Sequence, residues 1–427
     1  MLTLLKNLLI EQAENFKRVE QSLLRETQFP VIPNKIKVAI GMRRVGKSYF
    51  LLQEIRRIME DKKVPWERLL CLNFEDDRLL PCSQEKLRDL LEGFYKIYPE
   101  NHSEQCYLFL DEIQNVEGWS LVVRRFLDSK KVQIYLSGSS AKLLSKEIAT
   151  ELRGRSISTE IWPYSFQEYL AVNNIAIKAE LLGQKNRDIL YQQLCYYLHK
   201  GGFPEITFLT AIDARRVLQD YVELVIMRDI VERHNIQNVT IIKYLIKSLL
   251  KNTAGAFSVN KFFNDTKSQG MSSSRSLLYD YLDYIEDAYL VFSVPLYSES
   301  VRQVQSNPKK VYAVDPGLVK ASIFSVNDNY GHLFENLVFL DLKRGNNKVY
   351  YYLTKEKYEI DFLVETPEGN RRMVQVVWDT SDVKTLEREQ RALNAAKQEL
   401  KIEGEIITPL NYIEKVWENQ GNQKLII

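Results

Sequence analysis

The amino-acid sequence predicts an α/β protein with a parallel sheet covered by helices on both faces, followed by a helical region and a smaller α/β domain. Between residues 35 and 165, short apolar runs alternate with amphipathic helical patterns, which is typical of such a sheet. From 165 to 255 the periodicity becomes helical, and after 315 strand and helix patterns mix again. These three observations define the fold class.

Length and composition limit the classes of protein that this chain can form. At a typical size of about 150 residues per domain, 427 residues correspond to about three domains. With 45% hydrophobic and 27% charged residues, 17 glycines and 12 prolines, collagen-like and disordered chains are excluded. Because 58 basic residues balance 56 acidic ones, any basic surface must be local.

Several signals bear on where the chain functions. The longest apolar run, Ala288–Tyr297, contains Ser293 and Pro295 and is too short for a membrane span, which needs about 20 apolar residues. The N-terminal residues lack a signal-peptide pattern, and neither the scattered cysteines nor the four dispersed histidines form a metal motif. We therefore expect a cytoplasmic protein with no membrane partner and with reduced, mostly buried cysteines.

The elements of the predicted sheet follow one another in order. An amphipathic helix over residues 1–30 ends at Pro30 and precedes the first strand. The predicted strands are Ile36–Ile40, Leu69–Phe74, Cys106–Leu110, Val132–Leu136 and Ser158–Trp162. The predicted helices between them are 47–59, 83–97, 119–129 and 139–150. In a parallel sheet of this kind, ligands bind at the carboxyl ends of the strands.

The changes of pattern also suggest domain boundaries. The prediction is an N-terminal helix, a core around the parallel sheet, a helical lid, a mixed region and a C-terminal α/β domain. Their ranges are 1–30, 31–165, 166–256, 257–314 and 315–427.

A glycine-rich loop directly follows the first predicted strand. Gly41–Ser48 has the pattern G-x-x-x-x-G-K-[ST], and a helix is predicted to begin at Lys47. The glycines let successive backbone N–H groups point at phosphates, at the positive end of that helix. Lys47 is expected to reach the β- and γ-phosphates, and the Ser48 hydroxyl to bind Mg²⁺. The predicted nucleotide-binding residues are Gly41, Arg43, Arg44, Val45, Gly46, Lys47, Ser48 and Tyr49.

Two positions within this loop have open roles. Arg43 and Arg44 either add positive charge near the phosphates or face solvent, and the sequence favours neither alternative.

The third predicted strand ends in two carboxylates, Asp111 and Glu112. Alone, such acids often cap a loop or a helix. Downstream of a phosphate loop, Asp111 is expected to place Mg²⁺ and Glu112 to polarise an attacking water, which favours hydrolysis over binding alone.

Two further candidates lie beyond the fourth strand. Ser137 ends that strand and is predicted to sense the γ-phosphate or the water, whereas Ser139 and Ser140 are predicted to cap the next helix. Arg153 and Arg155 could stabilise the γ-phosphate of a neighbouring subunit, or could form a basic surface loop.

These motifs together resemble the AAA-type ATPases, in particular a prokaryotic group with a nuclease-like C-terminal domain of unknown function. The matching segments are Gly41–Ser48, Asn73–Asp76, Leu110–Gln114, Ser137–Ser140, Leu152–Arg155, Gly201–Glu205 and Arg228–Ile230. The resemblance covers nearly the whole chain. It implies ATP rather than GTP as the ligand, and assembly into a homo-oligomer.

Residues 257–314 have the pattern of a winged helix. Ser258 is predicted to open its second helix, and Ser272–Arg275 to cap a long third helix. Residues 241–279 carry six basic residues and one acid, a local charge of +5: Lys243, Lys247, Lys251, Lys261, Lys267 and Arg275 against Asp265. Arg302, Lys309 and Lys310 lie in the predicted wing. DNA contact is one interpretation, and a protein-docking module or an ATPase lid is the other.

The C-terminal domain resembles the PD-(D/E)XK nucleases through Glu335 in a helix and Asp361 in a strand. In that family a following strand carries the motif Glu-x-Lys. The corresponding strand of this chain has the sequence Gln375-Val376-Val377, and glutamine is a weaker ligand for Mg²⁺ than glutamate. We therefore expect a vestigial site on a retained scaffold. Continued cleavage would require another residue, such as Asp379, Arg388 or Arg391, to take over the missing role.

The sequence thus predicts a Mg²⁺-dependent ATPase that acts on or with DNA, with ATP and Mg²⁺ as cofactors. Two alternatives remain open, a nucleotide-gated binding or scaffold protein with little turnover and a metal-dependent nuclease.

Overall fold

The computed structural model describes residues 1–20, 22–138, 150–175, 182–323 and 329–419. These residues form two compact units, Met1–Ile161 and Trp162–Ile427. The predicted helix at 139–150, with its expected caps Ser139 and Ser140, lies outside the described residues apart from Thr150.

The first unit alternates strands and helices, as the periodicity predicts. Its elements are α1 (Leu2–Glu20), β1 (Ile36–Ile40), α2 (Lys47–Lys62), β2 (Leu69–Asn73), α3 (Gln84–Ile97), β3 (Cys106–Asp111), α4 (Trp119–Ser129), β4 (Val132–Ser137) and β5 (Ser156–Glu160). The five strands form one parallel sheet in the order β2-β3-β4-β1-β5. Every residue of β1 and β3 is buried, as expected for central strands covered on both faces. The prediction of a parallel α/β sheet is confirmed.

Two boundaries in this unit differ from the prediction. β5 begins two residues earlier than predicted, because Ser156 pairs with Ile36 at the start of β1. α1 ends at Glu20, ten residues before Pro30. The segment after it is tied down by tertiary contacts, since the Phe29 ring packs at centroid distances of 4.8 Å from Phe50 and 5.3 Å from Tyr135.

α1 also covers the edge of the sheet. Strand β2 is an edge strand, so one side of its backbone has no neighbouring strand. The Gln12 side chain takes that place: its amide nitrogen donates to the Leu69 carbonyl at 3.4 Å, and its oxygen accepts from the Cys71 N–H at 2.9 Å. Nearby, the Arg78 guanidinium makes two hydrogen bonds to the Glu11 carboxylate, at 2.7 and 2.6 Å.

The second unit begins with helices. They are α5 (Phe166–Val172), α6 (Gln184–Lys200), α7 (Ala211–Leu224), a π-helical segment (Val225–Glu232) and α8 (Val239–Lys251). The Gly201–Pro204 break between α6 and α7 closes on a buried carboxylate, Asp315, which accepts the Gly202 N–H at 2.6 Å. Gly201 has φ +87°, and a Cβ there would lie 2.0 Å from an oxygen of Asp315, so only glycine fits.

A three-stranded antiparallel sheet follows α8. The elements are β6 (Ala256–Phe257), α9 (Val259–Ser268), α10 (Arg275–Asp287), β7 (Val291–Val294), α11 (Val301–Ser306), β8 (Lys309–Ala313) and α12 (Pro316–Ser322), with strand order β6-β8-β7. Ser258 and Ser274 cap α9 and α10 through their hydroxyl groups, as the sequence predicts. α11, between β7 and β8, was not predicted.

The last part of the chain is a small α/β layer. Its elements are α13 (Tyr330–Arg344), β9 (Lys348–Leu353), β10 (Glu359–Glu365), β11 (Arg371–Val376), α14 (Val383–Leu400), β12 (Gly404–Ile407) and α15 (Pro409–Glu418). The strand order is β12-β11-β10-β9, with β9, β10 and β11 antiparallel and β11 parallel to β12. The register between β9 and β10 shifts between Ile360 and Leu363, so Asp361 lies on an irregularity of the strand.

Two global expectations can be compared with this structure. In the described part of the chain, no helix combines the length and apolar character that crossing a membrane requires. All four cysteines are free, and Cys82 and Cys106 are buried.

Candidate functional site

The phosphate loop leaves the carboxyl end of β1 in a conformation that depends on its glycines. Gly41 has φ +149°, and a Cβ there would lie 2.2 Å from the Ile161 carbonyl oxygen, so no larger residue fits. Gly46 has φ +93° and is the N-cap of α2. The first N–H groups of α2 have no partners within the helix, and they therefore offer a binding site for an anion.

Lys47 folds back across this loop. Its residue is only 5% exposed, and its ammonium donates to the carbonyls of Gly41 and Met42, both at 3.1 Å. These bonds hold a positive charge beside the N-terminus of α2. A phosphate group there would offer the ammonium a stronger, charged acceptor than the two carbonyls.

Arg25 also supports the loop, although no sequence pattern indicates this role. Its guanidinium donates to the Val45 carbonyl at 3.2 Å, and its backbone N–H donates to the Gln53 side chain at 3.1 Å. Arg25 is 5% exposed, so this is an interior contact. It lies in the irregular segment before β1, where no periodicity marks a residue as buried.

The predicted metal-binding residues, Ser48 and Asp111, line the same pocket, and the Ser48 hydroxyl is close enough to the Asp111 carboxylate to lower its pKa. Ser137 also donates to Asp111, and it accepts the Glu112 N–H at 3.1 Å. Burial raises the pKa of Asp111, while the hydroxyl groups of Ser137 and Ser48 oppose that rise. The ends of β1, β3 and β4 thus bring the predicted residues to one edge of the sheet.

Glu112 has an unusual backbone conformation, with φ +53°. Left-handed conformations of residues other than glycine cost about 1–3 kcal/mol and concentrate at functional sites. Gln114 donates a hydrogen bond to the Glu112 carboxylate, and the backbone N–H of Glu112 donates to the Ser137 hydroxyl. Gln114 was not assigned a role from sequence, although the motif Leu110–Gln114 contains it.

The remaining loop residues differ in their surroundings. The Arg43 guanidinium lies 3.8 Å from the Glu75 carboxylate, which belongs to the segment after β2. Arg44 is exposed and has φ +68°, and Tyr49 is 53% exposed on α2. Arg43 is therefore linked to a second motif of the first unit, whereas Arg44 and Tyr49 reach the surface.

Arg153 and Arg155 lie at the amino ends of the strands, opposite the carboxyl ends where the phosphate loop begins. The Arg155 carbonyl accepts from the N–H of Ile36, the first residue of β1, whereas the phosphate loop begins after the last residue of that strand. A strand of five residues separates the two edges by about 16 Å. Arg155 is paired with Asp128 of α4, and Arg153 is exposed. In this arrangement, neither guanidinium lies beside the phosphate loop of its own chain.

A second polar cluster forms in the C-terminal unit around a lysine from β8. The Lys310 ammonium lies 2.8 Å from Glu335 Oε1, 3.0 Å from Asp361 Oδ1 and 2.9 Å from Glu359 Oε1. The Tyr312 hydroxyl donates to the same Glu335 oxygen at 2.7 Å. Burial lowers the pKa of Lys310, but Tyr312 and the three carboxylates outweigh it, so the pKa lies well above its ordinary value.

Gln375 completes this cluster and brings in a fourth carboxylate. Its amide oxygen accepts the Asp361 N–H at 3.2 Å, and its amide nitrogen donates to Glu389 at 2.7 Å. The structure thus brings together Glu335, Asp361 and Gln375, the three residues of the predicted vestigial site.

The position of Lys310 corrects one expectation. Its residue is 2% exposed, so it is not part of a basic wing surface. A lysine at the start of the apolar strand Lys310–Val314 was the signal of an interior charge that needs partners.

The basic residues predicted between 241 and 279 are all exposed. Lys243 is paired with Glu223 at 2.5 Å, and the Arg275 guanidinium lies 5.1 Å from the centre of the Phe263 ring. Most of the predicted local charge therefore faces solvent.

Comparison with known proteins places these features in a family. A family model described as an AAA domain matches residues 33–170, which contain the phosphate loop, Asp111 and Glu112. An uncharacterized protein of Methanocaldococcus jannaschii, MJ1544, is 36% identical over 398 residues, covering 92% of this chain and 86% of that protein. This chain belongs to the same family. An uncharacterized protein of Haemophilus influenzae is 31% identical over 331 residues, 77% of this chain and 79% of that protein.

The rest of this AAA-domain protein matches models without an assigned role. Two domains of unknown function, DUF8612 and DUF4143, match residues 191–328 and 330–416. Among solved structures, the Walker-type ATPase PABY2304 of Pyrococcus abyssi aligns with 73% of this chain and 94% of that one, at 13% identity and a TM-score of 0.41. At that score, the fold assignment rests on the family model and on the observed sheet.

Proposed function

We propose that the first unit hydrolyses ATP in the presence of Mg²⁺. The observation that carries this proposal is the contact of Ser48 with Asp111 at the mouth of the phosphate loop, with Glu112 following directly. A protein that only binds nucleotide needs the loop and Asp111, but not a carboxylate placed to polarise water.

The chain's own residues divide the work. The backbone of Gly41–Ser48 and the Lys47 ammonium bind the phosphates, and Ser48 and Asp111 are the oxygen donors that suit a magnesium ion. When bound, Mg²⁺ neutralises charge that develops on the phosphate oxygens. Glu112 polarises the attacking water, Gln114 orients its carboxylate, and Ser137 holds the acids in place.

Substitutions at two positions test this assignment. Lys47→Ala is expected to abolish ATP binding, because it removes the charge beside the phosphates. Glu112→Gln is expected to retain binding but to lose about 100-fold or more in turnover, since the amide is a poor base. Binding is measured with a fluorescent ATP analogue and turnover by phosphate release.

Glu117→Gln, at an exposed carboxylate a few residues further along, is the matched control and should behave as wild type. Wild-type turnover in Glu112→Gln would show that the assigned base is wrong. A wild-type rate as low as that of Glu112→Gln, with and without DNA, would favour the alternative of a nucleotide-gated scaffold.

We further propose that residues 257–314, together with the preceding α8, form a winged helix that contacts duplex DNA. Its support is the order of α8, β6, α9, α10, β7 and β8, with the short α11 between the last two strands, together with the exposed basic residues of α8, α9 and α10. A local positive surface on a nearly neutral chain suits contact with phosphates.

Arg153 and Arg155 are proposed to act on the nucleotide of a neighbouring copy in a homo-oligomer. The support is their position at the amino edge of β1, away from the loop of their own chain. We place the protein in the cytoplasm, where its four free cysteines would stay reduced.

For the C-terminal domain, the proposal is a nuclease-like scaffold. The order of α13, three strands, α14 and β12, with Glu335 on the helix and Asp361 on the second strand, suits the PD-(D/E)XK resemblance.

A further inference from the structure

A nuclease site of the PD-(D/E)XK kind would hold a divalent metal ion on Glu335, Asp361 and a third carboxylate. The donor set of this structure does not fit that ion. Gln375 takes the third position, and both ends of its amide are bonded to protein groups, the Asp361 N–H and the Glu389 carboxylate. Within the described residues, no three side chains of histidine, cysteine, aspartate or glutamate are grouped to hold a metal.

Three of the four oxygens of the two remaining carboxylates already have donors. Glu335 Oε1 accepts from Lys310 at 2.8 Å and from Tyr312 at 2.7 Å. Asp361 Oδ1 accepts from Lys310 at 3.0 Å, and Oδ2 accepts the Val376 N–H at 3.0 Å. The Lys310 side chain is only 3% exposed, so these contacts are made in the interior.

The number of donors on Lys310 is also informative. An ammonium group has three N–H donors, and the Lys310 ammonium contacts three carboxylates, those of Glu335, Asp361 and Glu359. The ammonium donates hydrogen bonds to Glu335 and Asp361 and lies 2.9 Å from Glu359, so it is directed at carboxylates rather than at a water, whose orientation is the role of the lysine in a Glu-x-Lys strand. Lys310, although it comes from β8, therefore does not take over the role of the lysine that is missing from the Glu-x-Lys strand.

We propose that the Lys310 ammonium is the resident cation of this site. It occupies the position that a metal ion would take between Glu335 and Asp361, so the native cluster binds no divalent ion and cleaves no phosphodiester by a metal-dependent route. The cluster instead joins β8 to α13 and β10 through buried ion pairs. A divalent cation on the same oxygens would lie close to the ammonium, and the repulsion between the two cations disfavours its binding while the ammonium is in place.

Manganese binding to the full-length chain without nucleotide tests this proposal, with free Mn²⁺ measured by electron paramagnetic resonance. Wild type and Asp361→Asn are expected to bind the same number of ions, since Asp361 holds none. Any weak binding at Ser48 and Asp111 is common to both proteins and cancels. Loss of one bound ion in Asp361→Asn would overturn the proposal.

A second pair of variants exposes the cation position directly. Lys310→Ala leaves space and uncompensated carboxylates, so it is expected to bind Mn²⁺ at least about tenfold more tightly than wild type and to gain thermal stability from it. Lys310→Met fills the space without charge and is expected to gain neither. Lys309→Ala, the neighbouring lysine, should match wild type.

The outcomes separate the alternatives. A folded Lys310→Ala that binds no more Mn²⁺ than wild type would show that the position is not a cation site, and the proposal would fall. If Lys310→Ala does not fold, the comparison of wild type with Asp361→Asn still decides. None of these results depends on ATP hydrolysis.

Discussion

At the scale of single residues, buried carboxylates act differently according to their partners. Asp111 is the proposed ligand of a magnesium ion, and Asp361 pairs with the Lys310 ammonium. Asp315 instead accepts hydrogen bonds from backbone N–H groups. Asp315 is fully buried and accepts the N–H groups of Gly202 at 2.6 Å, Gly317 at 2.8 Å and Leu318 at 3.3 Å. The Gly201–Glu205 motif, which matched the family resemblance, is thus explained by a structural contact in the second unit.

Asp315→Asn is expected to lower the free energy of unfolding by about 1–3 kcal/mol, because an amide cannot accept all three N–H groups. It should also remove a pH dependence. Burial raises the pKa of Asp315 to about 6, above the ordinary 3.8, so the folded state holds this proton more tightly than the unfolded state. The carboxyl therefore stabilises the fold at low pH, and that contribution is lost as pH rises through about 4 to 6.

Urea unfolding at a series of pH values, compared between wild type and Asp315→Asn, measures the difference. Asp283→Asn, at an exposed carboxylate on α10, should keep the wild-type pH dependence. If Asp315→Asn keeps it as well, the carboxyl does not titrate in this range.

From the sequence we could predict that residues at the ends of neighbouring parallel strands lie together. We could not predict contacts between residues on elements that are distant in the sequence. Ser48, Asp111 and Ser137 could be placed together because parallel strands end at a common edge. Lys310 could not, because its partners Glu335 and Asp361 come from a later helix and a later sheet. Arg25 was missed for a similar reason, since it reaches the phosphate loop from an irregular segment.

At the scale of elements, the boundaries depended on long-range contacts. Hydrophobic periodicity located the strands of the parallel sheet to within a few residues, because central strands are apolar throughout. It overextended α1, since Phe29 is apolar for packing against Phe50 and Tyr135 rather than as part of a helix. The π-helical segment Val225–Glu232 has no signature in periodicity that distinguishes it from an α-helix.

The basic face formed by α9 and α10 leads to a prediction about DNA. Replacing Lys261, Lys267 and Arg275 together with alanine is expected to weaken binding to duplex DNA and to reduce the salt dependence of the binding constant by about three units of slope. Fluorescence anisotropy with a labelled duplex at several salt concentrations measures both quantities.

The matched control replaces Lys6, Arg88 and Lys96, which are exposed in the first unit. That variant should bind DNA as wild type does. Equal binding by the two triple variants would point to a protein-docking role for the proposed winged helix.

At the scale of the whole molecule, the near balance of 58 basic and 56 acidic residues conceals an uneven distribution. Basic residues dominate one stretch of the second unit, and a buried lysine balances carboxylates in another. Charge summed over the chain therefore says little about its partners, whereas charge counted on exposed residues of one element does.

From the position of Arg153 and Arg155 at the amino end of β1, we expect two copies of the chain to contribute residues to each ATP site. Arg153→Ala combined with Arg155→Ala is expected to reduce turnover by about 10³-fold or more, as for other arginines that act in trans. Lys47→Ala, which keeps both arginines, is inactive for a different reason. Mixing the two inactive proteins should restore activity, because some sites then combine an intact phosphate loop with intact arginines.

Phosphate release from the mixture, with light scattering to follow assembly, measures this recovery. Lys47→Ala mixed with Arg88→Ala serves as the control for assembly, since Arg88 is an exposed arginine of α3. Assembly without recovery in the double-arginine mixture would show that these residues do not complete a neighbour's site.

The Gln12 amide on the edge of β2 has a consequence for the behaviour of the chain in concentrated solution. An uncovered edge strand is a template on which another chain can add a strand. Gln12 occupies two backbone groups of β2, the Leu69 carbonyl and the Cys71 N–H, and so blocks that addition. A version of the protein without α1 would present the apolar strand Leu69–Asn73 to its neighbours, and aggregation would begin at this edge.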